Sequence, residues 1–352
     1  MTFTTSTARR FLFVGGGTGG HLTPALGIAE ALEARGHECF FLVSGRAVER
    51  GYFADRPGHA SLGVDSSRLP RPLALIPAAL RLRQHARRWR PHVVVALGGA
   101  SSAAALGWRG APRVLLEGNR VPGRAVRWMQ RGTAATLTLF QETADELPTG
   151  HWVGPVGRRA LAMPERARAR AQLGLDREGV VLLAAGGSQG ARDVNELAAR
   201  MLPRLADLGG QLLALCGAGK AEALRERARA ARVPAVVLEH CDDMGAAYAA
   251  ADFAVLRGGA STMAELLLTR LPAAVLPYPH HADRQQEHNA RALEPGVCCF
   301  SGSPAEADAF VAGALTDADL RAEMRAALVA TAPDDGASRA VAALEEIASR
   351  KV

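Results

Sequence analysis

Short aliphatic runs separated by longer segments of helical character repeat along the whole chain, and this alternation limits the fold more than any other feature of the sequence. The runs are Phe11–Val14, Cys39–Val43, Val93–Leu97, Val114–Leu116, Thr136–Leu139, Val180–Ala185, Gln211–Cys216, Val236–Leu238, Phe253–Leu256 and Ala273–Leu276. Repeated β–α alternation without hairpin signals reads as α/β architecture, with parallel, doubly wound sheets covered by helices on both faces. Composition points the same way. Hydrophobic residues make up 48% of the chain and aromatics only 5%, with 37 glycines; this disfavours an antiparallel sandwich and suits strands buried on both faces. At 352 residues the chain exceeds one ordinary core, so two domains are expected.

The two halves share a layout. Each opens with a buried strand that empties into a glycine loop, Gly15-Gly16-Gly17-Thr18-Gly19-Gly20 in the first and Gly186-Gly187-Ser188-Gln189-Gly190 in the second. Two nucleotide-fold domains facing one cleft follow from that layout, with expected boundaries at 1–155 and 156–336. A helix over Ala337–Lys351, within a last segment 337–352, is expected to pack back on the first domain. Pro148–Pro164, rich in Pro, Gly and Arg, reads as the linker.

Charge and cysteines narrow the setting. The formal net charge of +7 fits a phosphorylated ligand, an anionic membrane or nucleic acid without choosing among them. Neither half shows aromatic interleaving or a reading-helix motif, so no nucleic-acid partner is expected. Five cysteines without a CxxC pair imply a reduced, cytoplasmic protein. The only apolar run near the start, Phe11–Val14, is too short for a secretory h-region. Pro91–Trp108 is uncharged, but Gly98-Gly99 and Ser101-Ser102 interrupt it, so it reads as strand, loop and helix rather than a membrane span.

The glycine loops have several possible uses. Gly15-x-Gly17-x-x-Gly20 matches a dinucleotide fingerprint, yet Val43 is followed by Ser44, Gly45 and Arg46, not by the acidic residue that would hold a cofactor ribose. No GK[ST] is present, so a Walker A site is excluded; a tight turn without ligand is the bland alternative. His21 opens the following helix, where a neutral imidazole can take a proton from an attacking hydroxyl or can merely cap or orient. Ser188 and the amides after it open another helix suited to a pyrophosphate. Thr262-x-x-Glu265 has the spacing of a capping box, in which the glutamate only satisfies backbone N–H. The loop Pro277–His288 contains His280, His281 and Asp283, but no matching ligand pair exists elsewhere, so neither metal nor cofactor is expected.

Taken in order, Gly16-Gly17-Thr18-Gly19-Gly20-His21, Glu117-Gly118-Asn119, Gly186-Gly187-Ser188-Gln189-Gly190, Asp242-Asp243-Met244, Gly259-Ala260-Ser261-Thr262-Met263-Ala264-Glu265 and Asp283-Arg284-Gln285-Gln286-x-x-Asn289 resemble the MurG family. This family comprises the bacterial N-acetylglucosaminyltransferases that convert lipid I to lipid II in peptidoglycan synthesis. The resemblance runs from about Phe11 to Ala292 and implies a GT-B fold, an N-terminal acceptor and membrane-facing domain and a C-terminal UDP-sugar domain. It implies a UDP-GlcNAc donor and a lipid I acceptor. By the same resemblance Gly17, Thr18, Gly19, Gly20 and Asn119 face donor sugar and acceptor, Ser188 with Gln189 and Gly190 meets the diphosphate, and the backbone near Cys241 meets uracil. Ala260, Ser261, Thr262, Met263 and Ala264 border the nucleotide, Glu265 binds the ribose hydroxyls, and Gln285 or Gln286 the GlcNAc hydroxyls. Arg158 falls where the family carries a linker arginine near the nucleotide.

Two departures fall in the acceptor half: the family's Glu-Gln-Asn reads Glu117-Gly118-Asn119, and its second glycine motif reads Ala100-Ser101-Ser102-Ala103-Ala104. The expected reaction is metal-independent inverting transfer to the MurNAc 4-hydroxyl, with His21 as base and Asn119 orienting the nucleophile. A transferase with another acceptor, or a silent sugar-nucleotide-binding scaffold, are the rival readings. Between Ser66 and Leu116 there is no acidic residue, and seven arginines fall from Arg68 to Arg90. Leu75, Ala79, Leu82, Ala86 and Trp89 recur there at helical spacing, as in an interfacial helix on an anionic inner-leaflet surface or in an ordinary solvated helix. With the lipid-linked acceptor, this places the chain as a peripheral protein on the cytoplasmic face of the inner membrane.

Overall fold

A computed structural model describes residues 8–17, 19–46, 49–54, 56, 58–63, 71–187, 189–302, 304–331 and 336–350. The chain divides into two compact units, one formed by the chain up to Arg158 together with the C-terminal helix, the other by Arg159–Pro333.

The first unit is built on β1 (Arg10–Val14), β2 (Glu38–Val43), β3 (His59–Ser61), β4 (Val93–Ala96), β5 (Arg113–Glu117), β6 (Ala135–Thr138) and β7 (Gly150–Trp152). Its strand order is β3-β2-β1-β4-β5-β6-β7, with every pairing parallel. Helices α1 (Gly19–Ala34), α2 (Arg50–Phe53), α3 (Arg71–Trp89), α4 (Arg124–Met129) and α5 (Gln141–Asp145) and a 3₁₀ segment, Ala100–Gly107, connect the strands. Val14 pairs with Leu42 on one side and Ala96 on the other, so the loops leaving β1, β2 and β4 emerge side by side. The strand order reverses between β1 and β4, the position where open α/β sheets form a ligand crevice.

The second unit repeats the plan with β8 (Val181–Ala185), β9 (Gln211–Leu215), β10 (Ala235–Leu238), β11 (Phe253–Leu256), β12 (Ala273–Val275) and β13 (Val297–Cys299), in the order β10-β9-β8-β11-β12-β13. Its helices are α6 (Arg166–Leu173), α7 (Arg192–Arg200), α8 (Leu202–Asp207), α9 (Ala221–Ala230), α10 (Met244–Ala250), α11 (Ala260–Thr269), α12 (Gln285–Arg291), α13 (Pro304–Thr316) and α14 (Ala318–Thr331). Each sheet is buried on both faces because its central strands are continuous aliphatic runs. One buried ion pair orders the second sheet. Asp252 Oδ2 accepts from Arg170 at 2.9 Å and from the Val181 amide at 2.8 Å, joining α6 to the starts of β8 and β11.

Three strands, β3, β7 and β13, have no counterpart among the aliphatic runs. Each is only three residues long and two of them are largely half-exposed, so edge pairing rather than burial creates them. Part of the expected linker is therefore β7. The arginine-flanked stripe also resolves differently from an interfacial helix. Leu82 and Ala86 of α3 are fully buried in the first unit's core, with Trp89 packed against it, because this face of α3 covers the sheet. Among the described side chains, the large apolar residues that α3 leaves outward are Ile76 and Leu80, each 59% exposed.

The C-terminal helix α15 (Gly336–Ser349) completes the first unit. Ala340, Val341, Leu344 and Ile347 join Phe11, Phe13 and Leu26 in one core cluster. A polar latch fixes the register. The Arg9 amide donates to His37 Nδ1 at 3.2 Å, which leaves the proton of a neutral ring on Nε2 for Glu345 Oε1 at 2.9 Å, while Arg35 makes two bonds to the same carboxylate at 2.9 and 3.0 Å. Burial alone would raise the Glu345 carboxyl, but the hydrogen bonds from His37 and Arg35 bring it below its usual range. Glu345→Ala orphans the fully buried His37 donor and is expected to cost about 1.5–3 kcal/mol. Arg35→Ala, at an exposed guanidinium, should cost under about 1 kcal/mol. Calorimetry of both variants checks this, and equal losses would place the latch in the exposed pair.

Candidate active site

In the first unit, the ends of β1, β4 and β5 deliver the residues that the sequence singled out. His21 lies in the first turn of α1 and its ring rests on the backbone of Gly98 and Gly99. A Cβ added to Gly98 would stand 3.2 Å from the ring Cδ2, and one on Gly99 would stand 3.3 Å from Cε1; both glycines have positive φ, +88° and +73°. The glycine pair thus provides a conformation and a clearance that other residues would not. Burial pushes the His21 imidazole below its ordinary pKa, which favours the neutral, proton-accepting form near neutral pH. Ser101 donates to the Gly16 carbonyl at 3.5 Å, and Ser102 to the carbonyls of Val14, at 3.3 Å, and Gly98. The altered Ala100–Ala104 run therefore still ties the two glycine loops together.

The Leu116 carbonyl lies 3.4 Å from the same Gly98 Cβ position, so the segment Glu117-Gly118-Asn119 borders this place. Glu117 is buried and acts as a clamp. Its Oε1 accepts from the Asn119 amide at 2.9 Å and from Asn119 Nδ2 at 3.0 Å, and Oε2 accepts from the Gly123 amide at 2.9 Å. Burial raises the Glu117 carboxyl, opposed by these bonds and by one from the Gly118 backbone. Gly118 thus serves the clamp through its amide, which any residue but proline would supply. Asn119 has its Nδ2 turned inward, which fixes the direction of its side-chain carbonyl.

Two of the singled-out first-unit residues have polar groups engaged within the chain. The Gly17 amide donates to Glu49 Oε1 at 2.6 Å, so this N–H is committed within the chain. Arg158 has its Nε 3.7 Å from Glu30 and its guanidinium 5.9 Å over the Tyr52 ring, contacts that hold it to α1 and the segment around α2. Gly19 and Gly20 form the first residues of α1. Thr18 and Ser188 lie outside the described residues.

In the second unit, Gln189 and Gly190 lie between β8 and α7, with the Gln189 carbonyl accepting from Lys220 Nζ at 2.8 Å. Cys241 precedes α10, whose N-cap Asp243 accepts from the Ala246 amide at 2.8 Å. From α10 the buried Tyr248 hydroxyl donates to Glu265 Oε2 at 2.7 Å. This overturns the capping-box reading. Helix α11 starts at Ala260 with Gly259 as its uncapping N-cap residue, so Thr262 is already inside the first turn and Glu265 projects from the helix interior toward α10. Burial raises the Glu265 carboxyl, and the Tyr248 bond opposes the rise. Ala260, Ser261 and Thr262 form the helix start, whereas the Met263 and Ala264 side chains are buried.

Gln285 opens α12, and Gln286 Oε1 accepts from the Tyr278 amide at 2.9 Å. Asn289 Nδ2 donates to the Gly258 carbonyl at 3.1 Å, which holds α12 against the loop before α11. A cavity of about 1090 Å³ on this unit is bordered by Gln189, Gly190, Arg257, Tyr278, Arg284 and Gln286. His280 and His281 pack edge-on against Tyr278, and among the described residues no three His, Cys, Asp or Glu side chains converge as a metal site would need. Glu49, the Glu117 clamp and Tyr248 escaped the sequence reading, since only tertiary contacts mark them.

Residues 11–138 match the glycosyltransferase family 28 N-terminal domain, and residues 181–310 match its C-terminal domain. The UDP-N-acetylglucosamine--N-acetylmuramyl-(pentapeptide) pyrophosphoryl-undecaprenol N-acetylglucosamine transferase of Symbiobacterium thermophilum is 32% identical over 349 residues, covering 93% of this chain and 93% of its own. The protein of the same name from Alcanivorax borkumensis is 34% identical over 355 residues, covering 96% and 98%. The chain belongs to this family, the MurG transferases. A crystal structure of Acinetobacter baumannii MurG has a similar fold, with a TM-score of 0.75 at 23% identity over 96% of this chain and 99% of the other. The two doubly wound units are those of the GT-B fold.

For a MurG transferase, the contact of His21 with Gly98 yields a direct test. Gly98→Ala forces a side chain into a positive-φ position and against the imidazole, and should lower transferase turnover by about tenfold or more. UDP binding, measured by calorimetric titration, should stay within about twofold. A Gly98→Ala enzyme with wild-type turnover would show that the ring's seat is immaterial.

Proposed function

We propose that this chain transfers GlcNAc from UDP-GlcNAc to the 4-hydroxyl of MurNAc in lipid I, giving lipid II, by a metal-independent inverting displacement. The observation that carries this reading is the match, over more than nine-tenths of the chain, to relatives named for this transfer; within the first unit, His21 seated on Gly98-Gly99 where the strand order reverses is the group placed to take the proton. The acceptor oxygen forms a bond to the anomeric carbon as that carbon's bond to the β-phosphate oxygen breaks. The electron pair leaves with UDP, and the hydroxyl proton passes to the His21 imidazole. Asn119, its amide nitrogen fixed by Glu117, orients the attacking hydroxyl.

The second unit binds donor. Amides around Ser188, Gln189 and Gly190 and at the start of α11 (Ala260, Ser261 and Thr262) meet the diphosphate, whose growing charge they stabilise together with the helix dipoles. The backbone beside Cys241 receives uracil, Glu265 the ribose hydroxyls, and Gln285 or Gln286 the sugar hydroxyls. Arg158, engaged with Glu30 and Tyr52, is left with the first unit in this scheme.

The membrane-facing surface is the outward side of α3 and α4. Ile76 and Leu80 stand one turn apart on α3, with Arg83, Arg87 and Arg88 exposed further along the same helix, and Trp128 on α4 is 64% exposed beside Arg124 and Arg127. Exposed apolar side chains accompanied on each helix by exposed arginines suit an anionic leaflet. No helix among the described residues is long and apolar enough to cross a membrane. We place these two helices against the cytoplasmic face of the cell membrane.

Purified protein is expected to release UDP from UDP-GlcNAc only with a short-chain lipid I analogue, equally in EDTA and in magnesium. His21→Ala should lower this turnover by about 10²-fold or more. The wild-type rate should fall as pH drops through the imidazole pKa, below the ordinary 6.5, because protonation removes the base. Release that needs magnesium, or a His21→Ala enzyme of normal turnover, would overturn the mechanism. The double variant Ile76→Glu/Leu80→Glu should lose sedimentation with anionic vesicles while keeping turnover on the soluble analogue. Undiminished vesicle binding would move the docking face elsewhere.

A further inference from the structure

Glu49 is the most heavily bonded carboxylate described in the first unit, and no step above uses it. It lies in the turn after β2, just before α2, and is only 2% exposed. Its Oε1 accepts from the Gly17 amide at 2.6 Å, the Ser44 hydroxyl at 2.6 Å and the Ser44 amide at 3.3 Å. Its Oε2 accepts from the amides of Gly45 at 2.7 Å and Arg46 at 3.0 Å. Every one of these partners is a donor, so only a group that accepts at both ends satisfies them together; a side-chain amide would turn an N–H toward N–H.

The partners come from two loops far apart in sequence. Gly17 belongs to the glycine loop after β1, and Ser44 to Arg46 follow β2, where a dinucleotide fold would hold a cofactor. The carbonyl of Gly17 accepts in turn from Arg46 at 3.4 Å, so both backbone polar groups of this residue are engaged by the segment that follows β2. A Cβ on Gly16 would stand 2.5 Å from Glu49 Oε1, so the carboxylate also occupies the space that the glycine leaves. Two residues beyond Gly17 the chain enters α1, whose first turn carries His21.

We propose that Glu49 is a positioning residue whose carboxylate serves as a built-in anion. It fills the donor cradle of the first glycine loop, fixes the path of Gly16-Gly17 into α1, and thereby sets where His21 is presented. The Gly17 amide consequently does not bind the substrate's diphosphate, and the cradle needs no external phosphate to hold its shape. This inference rests on the reading of His21 as the base.

Removing the side chain should leave an anion-shaped vacancy that a small carboxylate can refill. Glu49→Ala is expected to lower kcat by about 10²-fold with UDP-GlcNAc affinity within about twofold of wild type, since donor is bound by the other unit. Formate should restore about tenfold or more of that loss, with formamide inactive. Glu49→Gln, which keeps its bulk in the cradle, should be as slow and unresponsive to formate. Wild-type kcat in either variant, or a loss in Glu49→Ala that formate leaves unchanged, overturns the proposal. Should Glu49→Ala not fold, the Glu49→Gln arm decides: reduced kcat at unchanged donor affinity supports it, and normal kcat overturns it. His21→Ala run alongside separates the two ideas, because normal turnover there removes the base while the formate response still tests Glu49.

Discussion

The contact between His21 and the backbone of Gly98-Gly99 is the constraint around which the first unit is arranged. An imidazole can approach that closely only where no side chain stands, and the positive φ of both glycines turns the chain away from β4 abruptly enough to form the seat. The parallel register supplies the rest. With Val14 beside Ala96, the loop after β1 and the loop after β4 must leave the sheet together, and the serine hydroxyls of the 3₁₀ segment fasten one to the other. The imidazole is thereby held in a buried place by backbone geometry, which leaves it little freedom to reorganise.

Buried carboxylates recur as organisers of loops. Glu49 gathers amides from two turns, Glu117 fixes the amide end of Asn119, and Glu265 is held by Tyr248 from a neighbouring helix. In each case a group costly to bury is compensated by donors converging on it, and the directional bonds give a defined shape to a segment that has no regular ladder. The two units differ in how they do this. The first-unit carboxylates Glu49 and Glu117 each gather several donors from their own chain, whereas Glu265, in the interior of α11, is met by the Tyr248 hydroxyl.

The α3 helix illustrates why a periodic pattern alone does not assign a surface. Leu82, Ala86 and Trp89 repeat at helical spacing among arginines, which fits equally a helix lying on lipid and one lying on its own sheet. Packing against the first unit claims that stripe, and among the described side chains the large apolar residues left outward are Ile76 and Leu80. Burial of the regular face is what an amphipathic helix does first when a sheet needs cover.

The sequence by itself determined the α/β alternation, the two glycine-loop halves and the central strands, because burial on both faces and the demands of tight turns write themselves into local composition; it marked His21 by its place after the first glycine loop, and Asn119 and the ligand reading of Glu265 by the resemblance to a family. Only the tertiary structure decided the edge strands β3, β7 and β13, whose three residues carry no run long enough to read. It alone assigned Glu265 to Tyr248 rather than to its own helix cap, since the helix start depends on where α11 meets β11. It alone revealed Glu49, because a carboxylate's worth lies in the donors that distant loops bring to it, and those distances are set by the register of the sheet rather than by neighbours along the chain.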